Sequence, residues 1–117
     1  MDNDLALLLD MSLAASDARS FTEGLDELVF LSSRLHQNAV IRSLEIIGEA
    51  AGKISPEFRA AHPEIPWREI IGTRHRLIHG YGEVRLDIVW AVVQDDLPPL
   101  IATLRPLIPP DTDEKTS

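Results

Sequence analysis

Positions 34 to 54 constrain this chain most. Over one uninterrupted stretch, Leu35, Ala39, Ile46, Ala50 and Ile54 fall near one helical face, and Val40, Leu44, Ile47 and Ala51 lie beside them. At about 100° per residue this makes an apolar band wider than a helix resting on one neighbour needs. Such a helix must be packed on more than one side, so the rest of the chain has to supply its covers.

The flanking segments read as further helices. From Asp4 to about Phe21, Leu5, Leu8, Leu9 and Leu13 form a helical stripe, and Gly24 ends the segment. Asp26 suits the N-cap of a short turn, as Ser55 does for the segment that Pro56 opens. His62-Pro63 closes that segment, because the residue before a proline is pushed out of the helical region. Pro66-Trp67 opens the next helix, predicted to run through residues 73–79 and to fray at Gly80 and Gly82. The last helix starts near Leu86 or Asp87 with Ile88, Val89, Val92 and Val93 as its apolar face, and Pro98-Pro99 must kink or restart it. No segment alternates with period two between turn residues, so no strand is predicted. The expectation is an all-α bundle of four to five helices over residues 1–108, followed by a flexible polar tail, 109–117. Gly48 and Gly52, with Ala51, would permit close helix approach inside the bundle or across a two-fold axis.

A length of 117 residues suits one domain, and 44% hydrophobic with 26% charged residues is the balance of a globular protein. The absence of cysteine excludes disulfides, thiolate catalysis and cysteine-based metal sites. No apolar run approaches the roughly 18 residues of a membrane span, and Met1-Asp2-Asn3-Asp4 lacks a signal peptide's positive flank. A cytoplasmic location without membrane partners is expected. The net charge of −8 argues against broad polyanion binding, yet it is unevenly spread. Residues 1–27 hold seven acids and one base, residues 34–85 eight bases and six acids, and residues 86–117 six acids and two bases. An anion site belongs in the middle of the chain.

Within that middle, TRHRLIHGYG (73–82) concentrates two arginines, two histidines and a tyrosine. These are residue types that RNA cleavage without a metal requires: a base for the ribose 2′-OH proton, a cation for the phosphorane, and an acid for the leaving 5′-oxygen. His79 can serve as base or acid, and Arg74 offers a permanent planar charge to phosphate oxygens. On an ideal helix Arg74 and Tyr81 fall about 20° apart, whereas His79 lies about 140° from Arg74. The two would meet only if the chain unwound near Gly80, if the arginine wrapped round, or if a second copy contributed across a dimer axis. A basic helix end also suits the macrodipole, so residue types alone leave a purely structural role open.

Other constellations read as structural. His75 and His79 have a zinc-compatible spacing, but Arg76 stands where a metalloprotease helix carries glutamate, and no metal is expected. Glu45 and Glu49, with Arg42, fit a salt-bridged helix face better than an acid–base dyad. Trp67 and Trp90 fit core or interface anchors, and His36 and His62 ordinary helix-end or surface residues.

Together the phrases AVIRSLEIIGEAAGKISPEFR, HPEIPWREIIGTRHRLIHGY and DIVWAVVQDDLPPL resemble the HepT-like family of toxins within the HEPN superfamily of helical ribonucleases. The resemblance spans about Leu5 to Leu107 and includes the family's arginine, four residues, histidine, one residue, tyrosine signature as Arg74, His79 and Tyr81. It implies a homodimeric HEPN-type bundle acting as a metal-independent endoribonuclease, with Arg74 and His79 catalytic and no cofactor. It also implies a partner, a small nucleotidyltransferase antitoxin that transfers AMP to Tyr81, and a hetero-oligomer of the two. His75 stands where asparagine is commoner and would support Arg74 or phosphate together with Arg76. Gly82 replaces a usually bulky residue. The rival expectation is a noncatalytic helical module that docks a nucleotidyltransferase or a nucleotide.

Overall fold

The computed structural model describes residues 2–79 and 83–109, with the side chains of Asp2, Arg74, His75, Ile78, His79 and Glu83 outside that description. Of the expected tail, 109–117, all but Pro109 likewise lies outside the described residues. The chain forms α1 (Asp2–Phe21), α2 (Glu27–Leu31), α3 (Arg34–Lys53), α4 (Pro56–Ala61), α5 (Trp67–Ile71) and α6 (Thr73–Leu77). A two-residue pair, β1 (Ile78–His79) and β2 (Glu83–Val84), then leads into α7 (Leu86–Ala91), a π-helical turn (Val92–Asp96), α8 (Leu97–Leu104) and a 3₁₀ turn (Arg105–Leu107). The architecture is all-α. Three long rods, α1, α3 and the run from α7 through α8, form the bundle, and the short helices connect and cover them.

The wide apolar band of α3 is used as its width requires. Val40, Leu44, Ile47, Ala50 and Ala51 are buried, and α1, α5, α6 and α7 all pack on this helix. Leu35, by contrast, is 76% exposed. Gly48 is buried, whereas a Cβ at Gly52 would meet open space, so Gly52 is not a point of close helix approach within the chain.

The α1 stripe is rotated from the expected one. Its buried line is Asp4, Leu8, Met11, Ala15, Ala18 and Thr22, while Leu5 and Leu13 are exposed. Two causes set this rotation. Alanines at 14, 15 and 18 let the α1 backbone approach α3 more closely than leucines would. At the other end, the Ser55 backbone N–H and hydroxyl donate to the two Asp4 carboxylate oxygens at 2.9 and 2.7 Å. Ser55 is also the N-cap of α4, accepting from the Phe58 N–H at 3.1 Å, so one serine joins α1 to the start of α4.

The Ser55 hydroxyl, and then its N–H, hold the Asp4 carboxyl below its ordinary value of 3.8. A carboxyl with a depressed folded-state pKa contributes stability above its unfolded value and loses it as pH falls through the folded value. Asp4→Ala is therefore expected to lower the melting temperature at pH 7, with the gap to wild type closing below about pH 4. A gap independent of pH would show that the charge plays no part.

The predicted caps at Asp26, Ser55 and His62 are all present, and Gly24 ends α1's exit turn at a φ of 82°. At Pro98 and Pro99 the α-helix restarts as α8, with both prolines in its first turn. The turn before them widens: the Leu97 N–H reaches the Val92 carbonyl, five residues back. The Val93 carbonyl then has no partner along the helix, because Leu97 is engaged and Pro98 has no N–H. Arg19 of α1 fills the gap, donating from Nη1 to the Val93 oxygen at 3.3 Å and to Gln94 Oε1 at 3.1 Å. Gln94 Nε2 completes the brace by donating to Thr22 Oγ1 at 3.4 Å. Arg19→Met keeps the aliphatic stem but strands a part-buried carbonyl, and is expected to destabilise the chain by about 2 kcal/mol. Urea unfolding checks this; an unchanged midpoint would mean that water satisfies Val93 equally well.

Candidate functional site: the basic segment and its groove

The segment 73–79 does not continue the helix that Trp67 opens. Gly72 ends α5, its N–H bonding the Arg68 carbonyl at 2.9 Å, and a Cβ at this glycine would lie 3.0 Å from that same oxygen. The chain restarts as α6, which carries Arg74, His75 and Arg76, and leaves helical geometry after Leu77. His79 therefore lies on extended backbone paired with Glu83, as Ile78 pairs with Val84. The Arg85 N–H extends this ladder, reaching the Leu77 carbonyl at 2.7 Å. This overturns the strand-free reading of the segment, and the unwinding that the sequence left open near Gly80 begins after Leu77, so the ideal-helix angle between Arg74 and His79 does not apply. The physical reason is that α6 spans five residues, and the backbone groups beyond it pair across the ladder instead of along a helix.

Three features fix the frame. Leu77 is buried at the end of α6. Trp67 is buried at the start of α5, edge-on to Phe58, and its indole N–H donates to the His62 carbonyl at 3.0 Å. On the return, Arg85 grips Asp87 with two bonds, Nε to Oδ1 at 3.1 Å and Nη2 to Oδ2 at 2.9 Å, immediately before and within the first turn of α7. The Arg85 guanidinium holds the Asp87 carboxyl below its ordinary value. This clasp escaped the sequence reading, although Arg-x-Asp at a helix start was its visible signal.

The expected roles of Arg74, His75 and His79 concern side chains outside the described ones, and Gly80, Tyr81 and Gly82 lie outside the described residues altogether. Arg76 is exposed, and with Thr73 it lines a groove of about 450 Å³ between α5–α6 and the π turn with α8. Leu44 and Ile47 of α3 contribute to the lining from below, and Glu64, Glu69 and Asp96 bring carboxylates to it. The Glu64 carboxyl is held below its ordinary value by its own backbone N–H and by the His62 ring, whose Nδ1 lies 3.1 Å from it. The sequence reading missed this groove. Glu69, Thr73 and Arg76, at spacings of four and three, carried the signal.

The remaining candidates take structural places. Arg42 pairs with Glu45 at 3.4 Å, and His36 lies 2.6 Å from the Ser33 hydroxyl that caps α3. Trp90 is half-buried with its ring 5.4 Å from Phe30.

A helical bundle in which a short basic helix runs into a two-residue antiparallel pair defines the class, a small all-α protein with a basic segment in its middle. Comparison with known proteins gives the class its family. The model of the family "Ribonuclease HepT-like" matches residues 11–107, and the chain belongs to that family. The chain is 40% identical over 93 residues to "Putative RNase MJ1380" of Methanocaldococcus jannaschii, covering 80% of this chain and 85% of that one. It is 43% identical over 93 residues to "Probable ribonuclease HepT" of Thermococcus cleftensis, with 80% and 84% covered. No solved structure matches significantly. Among the described residues, no helix is long and apolar enough to cross a membrane.

Proposed function

We propose that this chain is a metal-independent endoribonuclease toxin. The observation that carries the reading is the intact Arg74, His79, Tyr81 pattern inside a family match that covers most of the chain. In the proposed reaction a ribose 2′-oxygen attacks the adjacent phosphorus and gives up its proton to a base. The bond to the 5′-oxygen breaks, and that oxygen takes a proton from an acid. The products are a 2′,3′-cyclic phosphate and a free 5′-hydroxyl. His79 supplies one of the two proton transfers, and Arg74 neutralises charge gathering on the phosphorane oxygens. His75 and Arg76 support RNA binding beside them. Two copies form the working unit, each contributing its basic segment to a shared cleft.

Control rests on Tyr81. A partner nucleotidyltransferase joins the tyrosine oxygen to the α-phosphorus of ATP, releasing pyrophosphate. The added AMP brings negative charge and bulk to the anion site and so excludes RNA. The acidity of the chain as a whole, −8 in total, suits such control, because binding is confined to the basic segment.

The test is cleavage of a mixed RNA pool by purified, unmodified protein in EDTA. Cleavage that survives chelation and leaves cyclic phosphate ends supports the reading. An unmodified, folded and inert protein would overturn it in favour of a helical module that only docks a nucleotidyltransferase or nucleotide.

A further inference from the structure

The groove beside α6 is not needed for phosphate chemistry, and its lining is wrong for phosphate. Three carboxylates, Glu64, Glu69 and Asp96, stand at it against one described cation, Arg76. Its volume of about 450 Å³, however, suits a planar ligand of nucleoside size, and its apolar floor suits the face of an aromatic ring. Arg76 and Thr73 line the groove and belong to the same five-residue helix as Arg74, so the groove adjoins the basic segment.

From this we infer that the groove is a base-recognition pocket of the ribonuclease and that it takes guanine. The inference rests on the ribonuclease reading above and deepens it. The choice of base follows from hydrogen-bond chemistry. A carboxylate only accepts, with two oxygens side by side, and so matches two adjacent donors. Guanine offers them on its Watson–Crick edge, at N1–H and the N2 amino group. Adenine and cytosine put a ring acceptor next to their amino group, which would face a carboxylate oxygen lone pair to lone pair. Uracil has one ring donor between two carbonyl acceptors. Guanine's opposite edge, O6 and N7, is the acceptor pair that a guanidinium reads bidentately, and Arg76 is placed to supply it. Unpaired RNA exposes both edges at once, and a flat apolar floor holds the splayed base.

Glu69 and Asp96 face the groove from opposite walls, α5 and the π turn. The widened turn before Pro98 belongs to the same arrangement, since Val92 and Asp96 both line the groove from it. The specificity element is thus built from backbone that the prolines impose.

Two measurements on the full chain test this. In the first, guanosine, inosine and adenosine are titrated into ¹⁵N-labelled protein; nucleosides are used so that phosphate affinity for the basic segment does not contribute. Guanosine is expected to shift amides around Ile70, Thr73 and Leu100 and to bind at least about tenfold more tightly than inosine, which lacks the N2 amino group, or adenosine. Glu69→Gln and Asp96→Asn, both at exposed positions, should each reduce that ratio. In the second, cleavage sites are mapped on RNA of random sequence, with cuts expected next to guanines and the bias weakened in the same variants. Equal affinity for the three nucleosides, or shifts away from the groove, would overturn the pocket. Cleavage without base preference and without groove shifts leaves the ribonuclease standing and removes the pocket. Guanosine bound in the groove of a protein that cuts no RNA removes the ribonuclease and keeps the pocket.

Discussion

His79→Ala is expected to slow RNA cleavage by about 10²- to 10⁴-fold while leaving the fold intact, the usual cost of deleting a general acid or base. The wild-type rate should carry a histidine-like ionisation near neutral pH, and the variant's profile should lack that limb. The direction of the limb assigns the role. A rate that rises with pH marks His79 as the base for the 2′-OH, and one that falls marks it as the acid for the 5′-oxygen. A substrate whose 5′-bridging oxygen is replaced by sulfur separates the two further. A thiolate leaves without protonation, so this substrate restores cleavage in His79→Ala only if the histidine was the acid. Should His79→Ala cut the ordinary substrate at the wild-type rate, the proposed chemistry is wrong at its central residue. The local backbone makes the experiment clean: His79 sits on a two-residue strand, and its pairing with Glu83 uses main-chain groups that alanine retains.

How much of this was legible in the sequence depends on the kind of signal. Caps are local, and Asp26, Ser55 and Gly24 were readable because a side chain or a missing Cβ acts within three or four residues. The breadth of α3's apolar band announced a central helix for the same reason. The rotation of α1 was not readable, because leucines at 5, 9 and 13 mimic a core stripe as well as the true line does. What decides between them is Asp4 reaching Ser55, 51 positions away. The widened turn was half visible: two prolines demanded an irregularity, but only the tertiary donor Arg19 makes a π turn acceptable to Val93. For the candidate site, the composition of 73–82 and its family signature were plain, and unwinding near Gly80 was open, yet where the helix ends was not legible. α6 stops at Leu77 because the following backbone finds partners in 83–85, a pairing that no helical periodicity encodes. The groove was hidden because its walls come from α3, α5, α6 and α8 together.

The largest effect on stability is expected at Phe30. This side chain is fully buried although it belongs to α2, a helix of five residues too short to persist on its own. Its ring meets Trp90 of α7, while Gln37 of α3 donates from Nε2 to the Phe30 carbonyl at 3.0 Å. α2 is therefore held to two rods through one residue. Phe30→Ala removes the ring and leaves a cavity that α2 can close only by moving, with an expected cost of about 3–5 kcal/mol. Against a total stability of about 5–15 kcal/mol for a domain of this kind, that is enough to unfold a marginal one. Phe30→Leu keeps most of the volume and should cost markedly less. Urea titration of both variants at one fixed protein concentration, where any self-association is held constant, gives the comparison. An alanine variant within 1 kcal/mol of wild type would mean that α2 is not anchored through Phe30. A large loss in alanine with partial recovery in leucine ties the helix to the core through packing, and it separates that anchor from the basic segment, whose chemistry the leucine variant should retain.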